Sequence, residues 1–176
     1  MMTDIMVKGT EERFDVKDGQ RPLTFMGWLV AEADSQSGHD VRWTELTLYK
    51  TLTGKYILEK IGRSDVFHKP DCRRKSKGVR HDSLLDATDD HETALADQFV
   101  PCDDCHPTYD IEPAWVERDI SAVARYEDAS ALVASLFRRD ADNMPFLSRV
   151  ARTLLDAAAD RDDDIREVVS KPADVT

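Results

Sequence analysis

The hydrophobic positions in the first half of the chain fall in three segments that have the residue types of β-strands. Leu23–Glu32, Val41–Lys50 and Lys55–Ile61 are rich in β-branched and aromatic residues, and turn-forming residues separate them. Thr51–Gly54 reads as a hairpin connection between the last two segments. The pattern predicts a meander of three antiparallel strands. Because both faces of the middle strand carry apolar residues, we expect each face to be covered.

Apolar residues in the C-terminal third recur at the three- and four-residue spacing of amphipathic helices. A first group lies within Trp115–Ala124, a second follows Asp128, which we predict as an N-cap, and a third follows Pro145, a residue suited to a first helical position. A final turn over Ile165–Val169 follows Asp162–Asp164, which we interpret as a solvated helix end. We expect these helices to pack on the sheet, on each other or on a partner.

The composition is that of an acidic globular protein. The 176 residues include 24 Lys and Arg against 35 Asp and Glu, giving a net charge of −11, and 41% of them are hydrophobic. This length suggests one compact domain, or one domain with a helical appendage. No apolar run approaches the roughly 18–20 residues of a membrane span, and the N-terminus lacks the apolar stretch of a signal peptide. We therefore expect a cytoplasmic protein that neither enters membranes nor coats nucleic acid broadly.

The charge is unevenly distributed along the chain. One window, residues 69–80, carries a net charge of +5, and the remainder carries −16. Such a cluster can contact the phosphates of DNA or RNA, or it can be a solvated loop that pairs with carboxylates of the same chain. The basic residues of this window are Lys69, Arg73, Arg74, Lys75, Lys77 and Arg80.

All three cysteines of the chain belong to one metal-ligand pattern. His68-x3-Cys72 is followed after 29 residues by Cys102-x2-Cys105. Thiolate and imidazole groups are the ligands that zinc prefers in tetrahedral sets of four, so the spacing predicts one structural zinc ion with no open coordination position. His106 directly follows the last cysteine and is an alternative fourth ligand. A redox Cys-x2-Cys pair with one unrelated thiol is the competing interpretation.

Three short segments carry a resemblance to a known family. Val66–Cys72, Glu92–Ala96 and Val100–Pro107 resemble the metal-binding domain of the bacterial Ada alkylation-response proteins, over about forty of the 176 residues. The resemblance implies a zinc module with the four ligands named above, beside a region that approaches DNA. In that family the first ligand is the cysteine that accepts a methyl group from a DNA phosphotriester. His68 occupies this position here, so the resemblance does not carry over the repair chemistry.

These patterns predict an α+β protein with a three-stranded antiparallel sheet, a zinc-knuckle module and C-terminal helices. We expect a regulatory or accessory protein that binds nucleic acid through the basic loop, and not an enzyme, because no catalytic motif stands out. The alternative is an acidic protein-interaction factor, such as an inhibitor, a phage-type accessory protein or a nucleic-acid mimic. The oligomeric state stays open. The predicted divisions are a polar arm at 1–20, the meander at 21–65, the zinc module at 66–110 and the helical region at 111–176.

Overall fold

A computed structural model of the chain describes residues 10–38, 40–72, 99–105, 111–112 and 115–171. The chain forms two compact units. The first consists of Met1–Ser35, Glu45–Lys60 and Ser121–Thr176, and the second of Gln36–Thr44 and Ile61–Ile120. None of the helices in the described part of the chain has the length and apolar character that crossing a membrane demands.

The fold is α+β, as predicted, but the main sheet has five strands and not three. Its order is β1-β2-β3-β4-β7, and two smaller sheets pair β5 with β6 and β8 with β9. The strands are β1 Glu12–Asp18, β2 Arg21–Asp34, β3 Arg42–Thr51, β4 Tyr56–Ser64, β5 Val66–Phe67, β6 Val100–Pro101, β7 Ile120–Tyr126, β8 Phe137–Arg139 and β9 Pro145–Leu147. The helices among the described residues are α1 Ala129–Leu136, α2 Arg149–Arg161 and α3 Asp163–Ser170.

Strand β1 lies within the segment that the sequence pattern assigned to a polar arm. It pairs antiparallel with β2, and Gly19, at φ +64°, supplies the left-handed conformation of the connecting turn. Phe14 and Val16 point to one face and pack with Tyr49, whereas the alternate residues are exposed. Two apolar residues are enough to anchor one face of this strand, so its composition resembled that of an unstructured arm.

Strand β7 replaces a predicted helix. The apolar residues between Trp115 and Ala124 suggested helical spacing, but Ile120–Tyr126 add a fifth strand beside β4. Val123 packs against the same cluster as Val16, and Gly19 donates a backbone hydrogen bond of 2.8 Å to Ser121. Partners far along the chain therefore decided this conformation.

Both faces of β3 are covered, as its apolar residues predicted. Leu46 and Leu48 join the main core beneath the helices, and Tyr49 joins the smaller cluster on the other face. The main core also takes residues from all three helices, including Leu132 of α1, Leu154 of α2 and Ile165 of α3, each fully buried. The first unit therefore has an extensive apolar core on one side of its sheet.

Side-chain caps set the starts of the helices. The carboxylate of Asp128 accepts a hydrogen bond from Ala131 N at 2.8 Å, which confirms the predicted cap of α1. The predicted helix start at Pro145 is wrong, because this proline lies in β9 and Ser148 caps α2. The intervening β8–β9 turn is closed by the carboxylate of Asp140, which accepts from two backbone amides within it.

The start of α3 holds a buried polar cluster, so the interpretation of Asp162 as part of a solvated helix end is wrong. Asp162 is 5% exposed and caps α3 by accepting from Ile165 N at 3.0 Å. Its carboxylate also accepts from the hydroxyl of Tyr56 at 3.0 Å and from Lys50 Nζ at 3.1 Å. Burial opposes the charged form of Lys50, but Asp162 outweighs this and raises the pKa of the ammonium group.

Candidate metal centre

A parallel strand pair brings two of the predicted ligands together. Val66 of β5 pairs with Val100 of β6, and Cys102 N donates to the carbonyl of Phe67 at 3.1 Å. Because parallel strands run in the same direction, the residues that follow them emerge at the same end. His68 follows β5 and Cys102 follows β6, so their side chains meet there although the two residues are 34 positions apart in sequence.

Two short turns bring the remaining ligands back to the same point. Cys72 N donates to the carbonyl of Lys69 at 2.9 Å, and Cys105 N donates to the carbonyl of Cys102 at 3.0 Å. The backbone amide of Lys69 also donates to Cys105 Sγ at 3.4 Å. Hydrogen bonds from backbone amides to thiolates stabilise the charged form of sulfur and orient it. The hydrogen bond from Lys69 to Cys105 therefore links the two predicted ligand pairs directly.

The four donor atoms form one compact cluster. The ligand atoms of His68, Cys72, Cys102 and Cys105 all lie within 4.8 Å of one another. Cys72 Sγ is 3.5 Å from His68 Nδ1 and 3.5 Å from Cys102 Sγ, which is itself 3.5 Å from Cys105 Sγ. Two sulfurs at about 2.3 Å from one tetrahedral ion are separated by about 3.8 Å. The cluster is thus close enough to bind one metal ion.

The two ring nitrogens of His68 face different groups. Nδ1 points to the thiols, whereas Nε2 lies 2.6 Å from Glu117 Oε1. Burial works against the charged form of Glu117, but hydrogen bonds from Arg42, Ser64 and His68 lower its pKa to about 2. The carboxylate is therefore ionised at neutral pH and accepts the proton of Nε2. This leaves the lone pair of Nδ1 directed toward the sulfurs.

The thiols respond differently to being buried together. The pKa of Cys102 is lowered despite burial, because the backbone amide of Asp104 and the neighbouring ligand side chains stabilise its thiolate. Burial and the nearby sulfurs raise the pKa of Cys105 to about 11. The charged form of Cys102 is thus favoured and that of Cys105 is opposed. A bound cation removes this opposition, which is the charge balance expected of a metal site.

A small apolar cluster includes Phe67, the residue that directly precedes His68. It consists of Phe67, Phe99, Ile111 and Val116, all buried, with Trp115 packed against them. Phe67 also forms an isolated antiparallel bridge with Val116, and His68 N donates to the carbonyl of Trp115 at 2.8 Å. Residues 115–117 therefore form the second neighbour of β5, on the side opposite β6.

The structure brings all four predicted ligands together, whereas most of the predicted basic surface is not described. Lys69 is half-buried beside the ligands. The alternative ligand His106 lies outside the described residues, as do Arg73, Arg74, Lys75, Lys77 and Arg80.

Glu117 and its partners were not among the site residues that the sequence pattern predicted. Glu117 is 6% exposed, accepts from the guanidinium of Arg42 at 2.6 and 2.9 Å, and accepts from Ser64 Oγ at 2.6 Å. It lies 49 positions from His68 in a segment whose apolar residues suggested a helix. No residue pattern near Glu117 in the sequence indicates that it pairs with His68. Only the backbone pairing beside β5 places the carboxylate behind the imidazole.

Comparison of the chain with protein-family models, with curated proteins and with solved structures finds no match. The chemistry of the site must therefore be argued from its own residues.

Proposed function

We propose that this chain is a zinc-binding protein in which one ion is held by His68, Cys72, Cys102 and Cys105. The observation that carries the proposal is the convergence of one imidazole and three thiols within 4.8 Å. Soft sulfur donors select zinc over hard cations such as magnesium and calcium, which prefer oxygen ligands. The carboxylate of Glu117 contacts the ring nitrogen of His68 that faces away from the thiols, and such a contact is a further feature of zinc–histidine sites.

The zinc ion in this proposal is structural. Four protein donors complete a tetrahedral shell and leave no position for water or substrate, which a catalytic zinc requires. The ligands come from two turns that the chain brings together across 29 intervening residues. An ion at this point links the two ends of that interval and contributes directly to the folding of the second unit.

The metal proposal is tested by stoichiometry and by ligand variants. We expect one zinc per purified chain, and a cobalt-substituted protein with the absorption bands of a four-coordinate thiolate site. His68→Ala should weaken metal binding strongly, and His106→Ala is the matched control because it removes the competing imidazole. Loss of binding in His106→Ala with retention in His68→Ala would reject the proposed ligand set. A cobalt spectrum of five- or six-coordination would reject the closed structural site.

We further propose that the protein contacts nucleic acid through the basic residues that follow Cys72. The support is the charge of this window, +5 against −16 for the remaining residues, and its attachment to a metal ligand. Fixing one end of a cationic segment lowers the entropy lost when it follows a phosphate backbone. Arginine adds paired hydrogen bonds to phosphate oxygens. The contact residues in this proposal are Lys69, Arg73, Arg74, Lys75, Lys77 and Arg80.

The same charge distribution supports a second candidate, a protein-interaction factor. A remainder of −16 repels nucleic acid and attracts proteins with basic grooves. In that case the basic window pairs with carboxylates of its own chain. The two candidates differ in which surface a partner meets, so one binding experiment separates them.

The experiment measures binding to a labelled 20-base-pair DNA duplex, and to RNA of the same sequence, over a salt series. Neutralising Arg73, Arg74 and Lys75 together should reduce the slope of log K against log salt by up to about 3, roughly one per lost phosphate contact. The control neutralises three exposed cations elsewhere: Lys17, Arg138 and Arg149. No binding at low salt would reject the nucleic-acid proposal. An equal effect of both triple variants would reject the assignment to this window.

A further inference from the structure

We infer that Glu117 is the positioning residue of the metal centre, fixing His68 as an Nδ1 ligand, and that Arg42 acts on the metal through it. This inference deepens the proposed zinc site and rests on it. It concerns a residue whose side chain supplies no donor to the metal cluster. Its consequence is that metal affinity depends on a carboxylate and a guanidinium behind the imidazole.

The contact between Glu117 and His68 is short and shielded from water. Glu117 Oε1 lies 2.6 Å from His68 Nε2, and the two residues are 6% and 3% exposed. An ionised carboxylate at Nε2 keeps the proton on that nitrogen and makes Nδ1 the basic one. It also increases the electron density that Nδ1 can donate to a metal. A neutral imidazole without this partner divides its proton between the two nitrogens.

The carboxylate of Glu117 is held in a single orientation. Oε1 receives His68 Nε2 and one Arg42 nitrogen, and Oε2 receives Ser64 Oγ and the other Arg42 nitrogen, at 2.6–2.9 Å. These four contacts use the acceptor positions of both oxygens, so the group cannot also turn toward the sulfurs as a fifth ligand. The bidentate contact with the guanidinium fixes the plane of the carboxylate and hence the direction of the imidazole.

The residues that hold Glu117 lie at the ends of strands of the same unit. Arg42 begins β3, Ser64 ends β4, and the backbone amide of Glu117 donates to the carbonyl of Val66 in β5 at 2.9 Å. Arg42 and Ser64 fix the carboxylate of Glu117, and the hydrogen bond to Val66 fixes its backbone next to β5. We therefore expect a change at Arg42, whose side chain is 56% exposed, to weaken metal binding without touching a ligand.

The experiment measures zinc affinity by competition with a chelating dye in the full chain. Glu117→Ala should lose about 10- to 100-fold in affinity, and Glu117→Gln and Arg42→Met should lose less. The matched control is Asp119→Asn, which breaks an ion pair with Arg63 at 2.6 Å, two positions along the same segment. It should bind zinc as the wild type does. Equal affinities in all four variants, or an equal loss in Asp119→Asn, would overturn the inference.

A second measurement needs no variant and guards against loss of folding. In the wild-type protein loaded with cadmium-113 and labelled with nitrogen-15 at histidine, the metal should couple to Nδ1 of His68, with a proton retained on Nε2. Coupling through Nε2 would overturn the inference while leaving the zinc proposal intact. Failure of the wild type to bind zinc or cadmium at all would instead reject the proposed metal site, and the inference with it.

Discussion

The two units of this protein are stabilised in different ways. The first buries a large apolar cluster that joins three strands to three helices. Among the described residues of the second, the buried apolar cluster has only four members, and four side chains of the same unit are close enough to bind one metal ion. A small apolar core provides little free energy against the entropy of ordering the chain. Coordination of a metal ion can supply the difference.

Among the described residues, each unit also buries one carboxylate side chain, and the two have different roles. Asp162 accepts from Tyr56, Lys50 and the amide of Ile165, and so begins a helix. Glu117 accepts from Arg42, Ser64 and His68, and the last contact is with an imidazole of the candidate metal centre. The desolvation of both charges is offset by several donors. The role of each carboxylate depends on the group that it contacts. Asp162 contacts a backbone amide at the start of a helix, whereas Glu117 contacts an imidazole.

Metal removal should produce the largest difference between the units. Structural zinc contributes about 10–16 kcal/mol of apparent binding free energy, so chelation should unfold the second unit. Hydrogen exchange followed by mass spectrometry should show loss of protection at residues 99–105 and 115–118, while α2 and its strands stay protected. Restoring zinc is the control and should recover protection. Unchanged protection in the second unit would contradict its dependence on the metal.

Asp162→Ala should be the most damaging single change in the first unit. It leaves Lys50 without its buried partner and removes the cap of α3, and breaking a buried pair costs about 3–5 kcal/mol. Denaturant unfolding measures this loss. Asp163→Ala is the control: that side chain is exposed and pairs only with Arg166 among the contacts described, so about 0.3–1 kcal/mol is expected. Similar losses in both variants would refute the role given to the buried cluster.

Leu154→Ala should destabilise the first unit by about 2–5 kcal/mol through the cavity it leaves. Leu154 is fully buried in the main core, whereas Leu52, the residue for the control substitution to alanine, is 50% exposed. Thermal unfolding should separate the two variants. Zinc affinity should match the wild type in both, since neither side chain belongs to the second unit. A weaker zinc affinity in Leu154→Ala would show that the units are coupled.

Asp128→Ala should have the smallest effect, about 1 kcal/mol, because it removes one cap from a helix that is otherwise held by its buried face. Asp128→Asn keeps a side-chain acceptor and should stay close to the wild type in urea unfolding. If the asparagine variant loses as much as the alanine variant, the charge near the helix end matters more than the capping hydrogen bond.

Local patterns predicted the parts of the fold that depend on neighbours in sequence. The sequence predicted β2, β3 and β4 from their β-branched and aromatic residues, and it predicted the cap at Asp128 and the amphipathic face of α2. Each of these features depends on residues that are adjacent in the sequence. Strands β1 and β7 were missed for the converse reason. Each is an edge of the sheet, and its conformation is imposed by the strand beside it.

The sequence by itself determined the α+β class and the four side chains that come close enough to bind one metal ion, because residue type and short spacing limit which groups can share one ion. The tertiary structure alone decided which histidine nitrogen faces the cluster, which carboxylate stands behind it and which aspartate is buried. Those features depend on contacts between segments 49 to 112 positions apart, such as Glu117 with His68 and Asp162 with Lys50. The residue type of a carboxylate is the same whether its oxygens contact water or buried hydrogen-bond donors, so the sequence does not show its environment.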